Sequence, residues 1–336
     1  MYPKQHRVNY GFPIMVIGDG KVAQAYVDGK QAIKGFANPI TVIGKGTNAL
    51  FFKKRGIDYQ TPESVGELTG SVILAVRPQN GLAALSLVKE KARNPKLVTS
   101  LISGITFDDL KEITGINENC IATATLNVNI RYRSGIVYWH DRKKYTPGEI
   151  EESVFGQTFG GLTSPGKKCT GYLKKVHADN KSADEKILDA VVLVGSGAAL
   201  HAKAIWLAYE KEAIKQKPLK KFLGELAHGT YPQIIQKYFE ALNMATIGVF
   251  GTDYGNLNRK SFHSTVSALS MSPYETPLQI SEHIKGVVTR GGCTATKISE
   301  VSSVHCIQSK EKMSDVLSGI REKSLSFREI ALGTTI

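Results

Sequence analysis

An apolar run that stops at a pair of glycines constrains this chain more than any other feature. Met15 to Ala23 reads Met-Val-Ile-Gly-Asp-Gly-Lys-Val-Ala, so Gly18-x-Gly20-x-x-Ala23 follows the run Phe12–Ile17 and precedes the helix-compatible stretch Lys21–Tyr26. Strand, glycine turn and helix in that order place a helix N-terminus where an anion can sit. The first N–H groups of a helix lack partners, and its dipole is positive at that end. Gly18 permits the tight turn, Gly20 lets a phosphate approach the backbone, and Ala23 lets the helix pack closely on the strand. The spacing recurs wherever a strand turns sharply into a helix. Its position between strand and helix is what favours a dinucleotide.

Hydrophobic residues make up 42% and charged residues 22% of the 336, an ordinary globular balance with room for two cores. No apolar run approaches the about 20 residues that cross a bilayer. Met1 to Gly11 is too polar for the core of a signal peptide, so a cytoplasmic protein without a membrane partner is expected. The four cysteines, Cys120, Cys169, Cys293 and Cys306, form no C-x-x-C pair and read as reduced thiols. The eight histidines show no metal-ligand spacing, and no metal is expected. The charge of +13 concentrates at Arg142–Lys144, Lys167–Lys175 and Lys211–Lys221. These stretches lack interleaved aromatics and any zinc-finger or RNA-recognition signature. That argues against nucleic acid and for a basic surface that attracts small anions.

Short apolar runs alternate with helical segments through the first half. Strands are expected at Phe12–Ile17, Ile40–Ile43, Val72–Val76, Leu97–Ile102, Ile121–Thr125 and Ile136–Trp139, with helices at Lys21–Gly29, Ala49–Gly56, Gly81–Arg93 and Phe107–Thr114. Such alternation predicts a parallel sheet covered by helices on both faces, with ligands at the carboxyl ends of the strands. Three strands run into loop chemistry there: Gly18-Asp19-Gly20, Arg77-Pro78-Gln79 and Ser103-Gly104. Residues 145–182 differ, with Gly160-Gly161, Ser164-Pro165-Gly166, clustered lysines and little periodicity, and read as a basic, loop-rich excursion. From Ala183 the pattern is almost wholly helical, its first long stretch interrupted by Gly195-Ser196-Gly197. The expected fold is α/β: a Rossmann-type dinucleotide-binding domain over residues 1–182, then an all-α domain over 183–336.

In an NAD site an acid ending the second strand, about 20 residues past the glycines, holds the ribose 2′-hydroxyl. Here that strand ends Ile43-Gly44-Lys45-Gly46-Thr47-Asn48, without an acid. Lys45, the Thr47 hydroxyl and the Asn48 amide suit a 2′-phosphate instead. NADP(H) is therefore the preferred cofactor and NAD(H) the alternative, although the same residues also make an ordinary flexible turn.

Taken in order, the motifs resemble those of the pyrroline-5-carboxylate reductase family. Ile17-Gly18-Asp19-Gly20-Lys21-Val22-Ala23 is similar to the family's opening turn, and Ala75-Val76-Arg77-Pro78-Gln79 to its Ala-Val-Lys-Pro-Gln. Ser100-Leu101-Ile102-Ser103-Gly104-Ile105-Thr106 matches its Ser-x-Ala-Ala-Gly-Ile-Thr. Leu188-Asp189-Ala190 with Val194-Gly195-Ser196-Gly197-Ala198-Ala199 follows its Asp-Ala-Val-x-x-Leu-Ser-Gly-Ser-Gly-Pro-Ala. Val288-Thr289-Arg290-Gly291-Gly292-Cys293-Thr294 is similar to its Thr-Ser-Pro-Gly-Gly-Thr-Thr. Departures are Ala198 for a proline, Leu200 for an aromatic, Arg290 for the proline before the double glycine, and Leu126-Asn127-Val128-Asn129 for Pro-Asn-Thr-Pro.

The resemblance implies NADPH-dependent reduction of 1-pyrroline-5-carboxylate to proline in a homodimer or larger homo-oligomer, with the helical domain dimerising. It makes Thr294 the hydroxyl that bonds the ring nitrogen, able to accept from an iminium and donate to an amine. Gly291, Gly292 and Cys293 become a backbone nest for the substrate carboxylate, flanked by Thr289 and Arg290. Gly18, Gly20, Lys21, Val22 and Ala23 would hold the pyrophosphate; Ala75, Val76, Arg77 and Pro78 would line the nucleotide's path; Ser103 and Gly104 would meet the nicotinamide ribose. Asn127 either fixes the carboxamide or caps its own turn. Ser196, between Gly195 and Gly197, either opens the first dimer helix against the substrate or serves tight packing. Cys293 has no histidine paired with it and reads as a small loop residue. The departures leave two further readings open: a reductase of another cyclic imino acid, and a catalytically silent NADP-binding regulatory protein.

Overall fold

The early strands are only a few residues long and mostly buried along their whole length, which demands cover on both faces. A computed structural model of the chain supplies it, describing residues 13–32, 38–141, 172–175, 182–211, 217–271, 280–281, 284–285 and 293–334. One eight-stranded sheet runs in the order β3-β2-β1-β4-β5-β6-β7-β8. Its strands are β1 Ile14–Ile17, β2 Ile40–Ile43, β3 Asp58–Gln60, β4 Ser71–Leu74, β5 Leu97–Ser100, β6 Ile121–Leu126, β7 Ile136–His140 and β8 Tyr172–Lys175. β1 to β6 are mutually parallel. Those six follow the order of the doubly wound dinucleotide-binding fold, whose direction of winding reverses between β1 and β4 and leaves a crevice there.

Period-two alternation sorts the side chains between two faces. Ile14, Val16, Val42 and Ile73 pack with Tyr26 and Val27 of α1 (Lys21–Gln31) and with Phe52 of α2 (Ala49–Lys53) on one face. Met15, Ile17, Val72 and Leu74 pack on the other with Leu85 and Val88 of α3 (Gly81–Lys91) and with Phe107 and Leu110 of α4 (Phe107–Thr114). α4 begins in a capping box, Thr106 bonding the Asp109 N–H and Asp109 the Thr106 N–H.

Ser182 and Glu185 form a second capping box that starts α5 (Ala183–Ala190). The helix does not stop at the glycines. It passes through a π-helical segment, Val191–Ser196, into α6 (Gly197–Lys211). This single helix, 183–211, is long and apolar enough to cross a membrane by length and composition, contrary to the sequence expectation; most of it is buried inside the protein. Around it pack α7 (Leu219–Ala227), α8 (Gln233–Phe250), α9 (Gly255–Met271), α10 (Cys293–Glu300), α11 (Val304–Gln308) and α12 (Lys310–Leu332). α12 returns to the sheet: Ala331 joins the α3–α4 face, and Arg328 bonds Asp109 with two nitrogens at 2.8 and 3.1 Å. Asp189, fully buried on α5, accepts from Arg321 at 2.9 Å and from the Tyr254 hydroxyl at 3.1 Å.

Three expectations change. β7 is antiparallel to β6, so the sheet is not wholly parallel. β8 pairs parallel with β7 from within the 145–182 excursion, whose irregular composition hid a strand. β3 was also missed, because Asp58-Tyr59-Gln60 is half polar and sits at the sheet's edge.

Candidate functional site

The glycine turn at the end of β1 is a close one. Gly18 has φ +116°, and a Cβ there would lie 2.5 Å from the Ala75 carbonyl oxygen and 3.1 Å from the Val76 nitrogen. Only glycine lets the end of β1 press against the end of β4. The structure thereby brings Gly18, Ala75 and Val76 together across the β1–β4 crevice. Gly20 caps α1 without a side-chain hydrogen bond, and a Cβ on it would meet nothing within 4 Å. Open space therefore adjoins the head of α1 at Gly20, while Ala23 is buried behind it. That geometry fits a pyrophosphate. The ammonium of Lys21 donates to the Lys285 carbonyl, which sets Lys285 beside this turn.

The loop after β2 differs from the sequence reading. Lys45, Gly46 and Thr47 are exposed, as a phosphate site requires, but the loop holds a carboxylate after all. Asp19, the middle residue of the glycine turn, folds over the end of β2. A Cβ on Gly44 would lie 2.8 Å from the Asp19 Cβ and Cγ. Asp19 Oδ2 accepts from the Asn48 N–H at 3.2 Å and from the Tyr59 hydroxyl at 2.8 Å. The same Tyr59 oxygen accepts from the Gly46 N–H at 2.7 Å. Partial burial and the bond to the Asp19 carboxylate push the Tyr59 hydroxyl up to about 12, so it stays protonated and donating. The premise that no acid stands at this loop is corrected. The acid comes from the glycine turn, and β3 supplies the tyrosine that fixes it.

The loops after β4 and β5 have a different task. Pro78 opens a short 3-10 turn and Arg77 is exposed beside it. Gly81 lies against the Ala331 backbone of α12, where a Cβ would be 2.8 Å from the carbonyl oxygen. Gly104, with φ +92°, lies against the same helix: a Cβ would be 2.5 Å from the Arg328 nitrogen and 2.8 Å from the Phe327 carbonyl carbon. Its missing side chain makes room for α12 and not for a ribose. Beside it Ser103, Thr106, Asp108, Thr123, Asp184, Ser324 and Arg328 help line a cavity of about 470 Å³ between sheet and helices. The hydroxyls of Ser103, Thr123 and Ser324 are buried and have no hydrogen-bond partner among the described residues. Burial and the charges of Asp108 and Asp109 raise the Asp184 carboxyl, which accepts from the Phe107 N–H at 3.0 Å.

Asn127 is not available to a carboxamide. It is buried, accepts from the Ile136 N–H at 3.2 Å and donates to the Ser264 hydroxyl at 3.3 Å, while Asn129 donates to the same hydroxyl at 2.9 Å. These bonds tie the end of β6 to α9. Ser196 is buried in the π-helical segment rather than at a helix start, and Ala198 and Leu200 are buried in the same helix. Next to Gly197, the Ser261 hydroxyl and His201 Nε2 lie 3.5 and 3.7 Å from where a Cβ would be, both buried and without a partner among the described residues. His201 Nδ1 shares a 2.7 Å hydrogen bond with the Tyr238 hydroxyl, and burial, helped by His263, lowers its pKa to about 3. Thr289, Arg290, Gly291 and Gly292 lie outside the described residues. Cys293 and Thr294 open α10 directly after them in sequence.

The fold and the crevice at Gly18–Gly20 define a two-part α/β protein of the doubly wound nucleotide-binding class. No family model and no curated protein sequence matches the chain. Among solved structures it is similar to a Plasmodium falciparum pyrroline carboxylate reductase with NADP bound, at 14% identity and TM-score 0.48 over 95% of this chain and 98% of that one. It is likewise similar to a Coxiella burnetii pyrroline-5-carboxylate reductase, at 19% identity and TM-score 0.49 over 94% and 97% of the two chains. A Coxiella burnetii glycerol-3-phosphate dehydrogenase also aligns, at 10% identity and TM-score 0.43 over 96% and 95%. These likenesses concern the fold; the reaction has to be argued from this chain's own residues.

Proposed function

We propose that this chain is a nicotinamide-dependent reductase of a cyclic imino acid, with 1-pyrroline-5-carboxylate as the first substrate to try. The observation that carries the dinucleotide half is the cradle at β1: a left-handed Gly18 pressed on Ala75, and open space over Gly20 at the head of α1. The imine half rests on the ordered sequence resemblance, above all Thr289–Thr294. When bound, a reduced nicotinamide supplies the hydride. The chain's own work is then orientation, because a protonated imine carbon is already electrophilic and needs little acid–base help. Gly18, Gly20, Lys21, Val22 and Ala23 fix the pyrophosphate. Gly291, Gly292 and Cys293, immediately before and at the start of α10, offer N–H groups to the substrate carboxylate, and Arg290 adds charge. The Thr294 hydroxyl holds the ring nitrogen. A homodimer is part of the reading, and sedimentation of the purified protein tests it.

Mixing purified protein with 1-pyrroline-5-carboxylate and either NADH or NADPH should consume nicotinamide absorbance. Thr294→Ala should lower kcat about tenfold or more, the worth of one hydrogen bond in the transition state, with the melting temperature unchanged. Turnover of related imines but not of this one would move the substrate and keep the reaction class. Dinucleotide binding without turnover of any cyclic imine would support the silent homologue instead.

A further inference from the structure

We infer that Asp19 makes this site select NAD(H) over NADP(H), reversing the preference read from the loop sequence; the inference rests on the dinucleotide reading above. In a doubly wound nucleotide site the adenosine ribose lies over the end of β2, where an acid favours a free 2′-hydroxyl and a basic or N–H-rich loop favours a 2′-phosphate. Here the end of β2 is Ile43-Gly44, and the side chain resting on Gly44 is Asp19. Glycine is needed at 44 because any larger residue would displace both Asp19 and the Tyr59 hydroxyl, 2.5 Å from its Cβ position.

The hydrogen bonds decide what the carboxylate can do. Oδ2 is saturated by Tyr59 and the Asn48 N–H, while Oδ1 accepts from no group among the described residues. One oxygen anchors the group, and the other is left to accept from a ribose hydroxyl. Two of the loop's backbone donors are already engaged: the Asn48 N–H on Asp19, the Gly46 N–H on Tyr59. A 2′-phosphate arriving here would meet a fixed negative charge, with the Asn48 N–H bound to that carboxylate and the Gly46 N–H to Tyr59. Lys45 and Thr47 remain, but both side chains stand in solvent. A mobile, solvated ammonium gains about 1 kcal/mol or less from an anion, whereas repulsion from a carboxylate pinned at hydrogen-bonding range is not relieved by moving away. The fixed charge wins.

Tyr59 acts through Asp19 and is a positioning residue; its raised pKa keeps it a donor across the working range.

Equilibrium binding, by calorimetry, of NADH and NADPH and of ADP-ribose and 2′-phospho-ADP-ribose tests this without needing turnover. The wild type should bind the unphosphorylated member of each pair about tenfold or more tightly. Asp19→Asn keeps an oxygen for Tyr59 and Asn48 but removes the charge, and should raise affinity for the 2′-phosphorylated ligands about tenfold while changing NADH binding less. Tyr59→Phe should shift the ratio the same way by a smaller factor, and Lys45→Glu should leave it nearly unchanged. A wild type that binds NADPH as well as NADH, or a ratio indifferent to Asp19→Asn, overturns the assignment while leaving the dinucleotide reading intact. Binding of none of the four ligands overturns both.

Discussion

Two glycine turns stand at the carboxyl ends of parallel strands in this protein, and they do opposite things. Gly18 ends β1 and Gly104 follows β5; both have positive φ, and at each a Cβ would strike backbone atoms at 2.5 Å. Next to Gly18 the space over Gly20 and the head of α1 is open. Next to Gly104 the space is filled by Phe327 and Arg328 of α12, a helix more than two hundred residues further along the chain. Both glycines thus report close approach by the protein's own backbone, the end of β4 at Gly18 and α12 at Gly104, and only the space beside each turn tells the two apart. The same contrast separates Asn48, tied to a carboxylate at the crevice, from Asn127, tied to Ser264 in the interior.

Alanine at each turn should separate the two most strongly. Gly104→Ala should cost about 3 kcal/mol or more in denaturant unfolding, since a strained φ and a backbone collision act together. A near-neutral Gly104→Ala would mean α12 is not seated there. Asn129→Ala should cost about 2 kcal/mol by removing the buried amide that donates to the Ser264 and Thr265 hydroxyls, yet leave dinucleotide affinity unchanged.

His201 sharpens the interior side through pH. Its folded pKa is depressed to about 3, so between roughly 6.5 and 3 the unfolded chain binds a proton that the folded one refuses. Its contribution is present above about pH 6.5 and is lost as pH falls, at up to about 1.4 kcal/mol per pH unit. Unfolding measured at pH 7 and pH 5 should show a steep loss in the wild type and a shallower one in His201→Gln.

Asp109 should act lower on the scale. Burial raises its pKa, but the Arg328 guanidinium and the capping N–H outweigh burial and hold the carboxyl below its ordinary value. That stabilisation exists above about pH 4 and fades as pH falls through the lowered pKa, so Arg328→Ala should cost about 1 kcal/mol at pH 7 and less in acid. The smallest stability effect belongs to Gly20→Ala: within about 0.5 kcal/mol, because its Cβ meets nothing, while NADH affinity falls about tenfold or more. Equal destabilisation by Gly20→Ala and Gly104→Ala would erase the distinction between the two turns.

Local pattern determined a good deal. The alternation of apolar runs and helical stretches set the doubly wound sheet, and Met15–Ala23 marked the cradle, because both are written in neighbouring residues. Strand ends were placed to within two residues for β1, β4 and β5, where fully buried runs end abruptly in glycine or proline. β3 and β8 escaped because edge strands with mixed polarity carry little periodicity. The helix through Gly195-Ser196-Gly197 escaped too: packing on both sides held it together where propensity argued for a break.

Tertiary structure alone decided which candidates share a site. Asp19, Gly44, Gly46, Asn48 and Tyr59 span forty residues, and no spacing rule joins them. The parallel pairing of β1, β2 and β3 does, by bringing three strand ends into one line. A carboxylate's partner is chosen by distance in space, not by distance along the chain, so an acid missing from the end of β2 was supplied by the turn after β1. The order of residues specified a tight glycine turn at the head of α1. The register of the sheet specified which carboxylate and which tyrosine stand beside it.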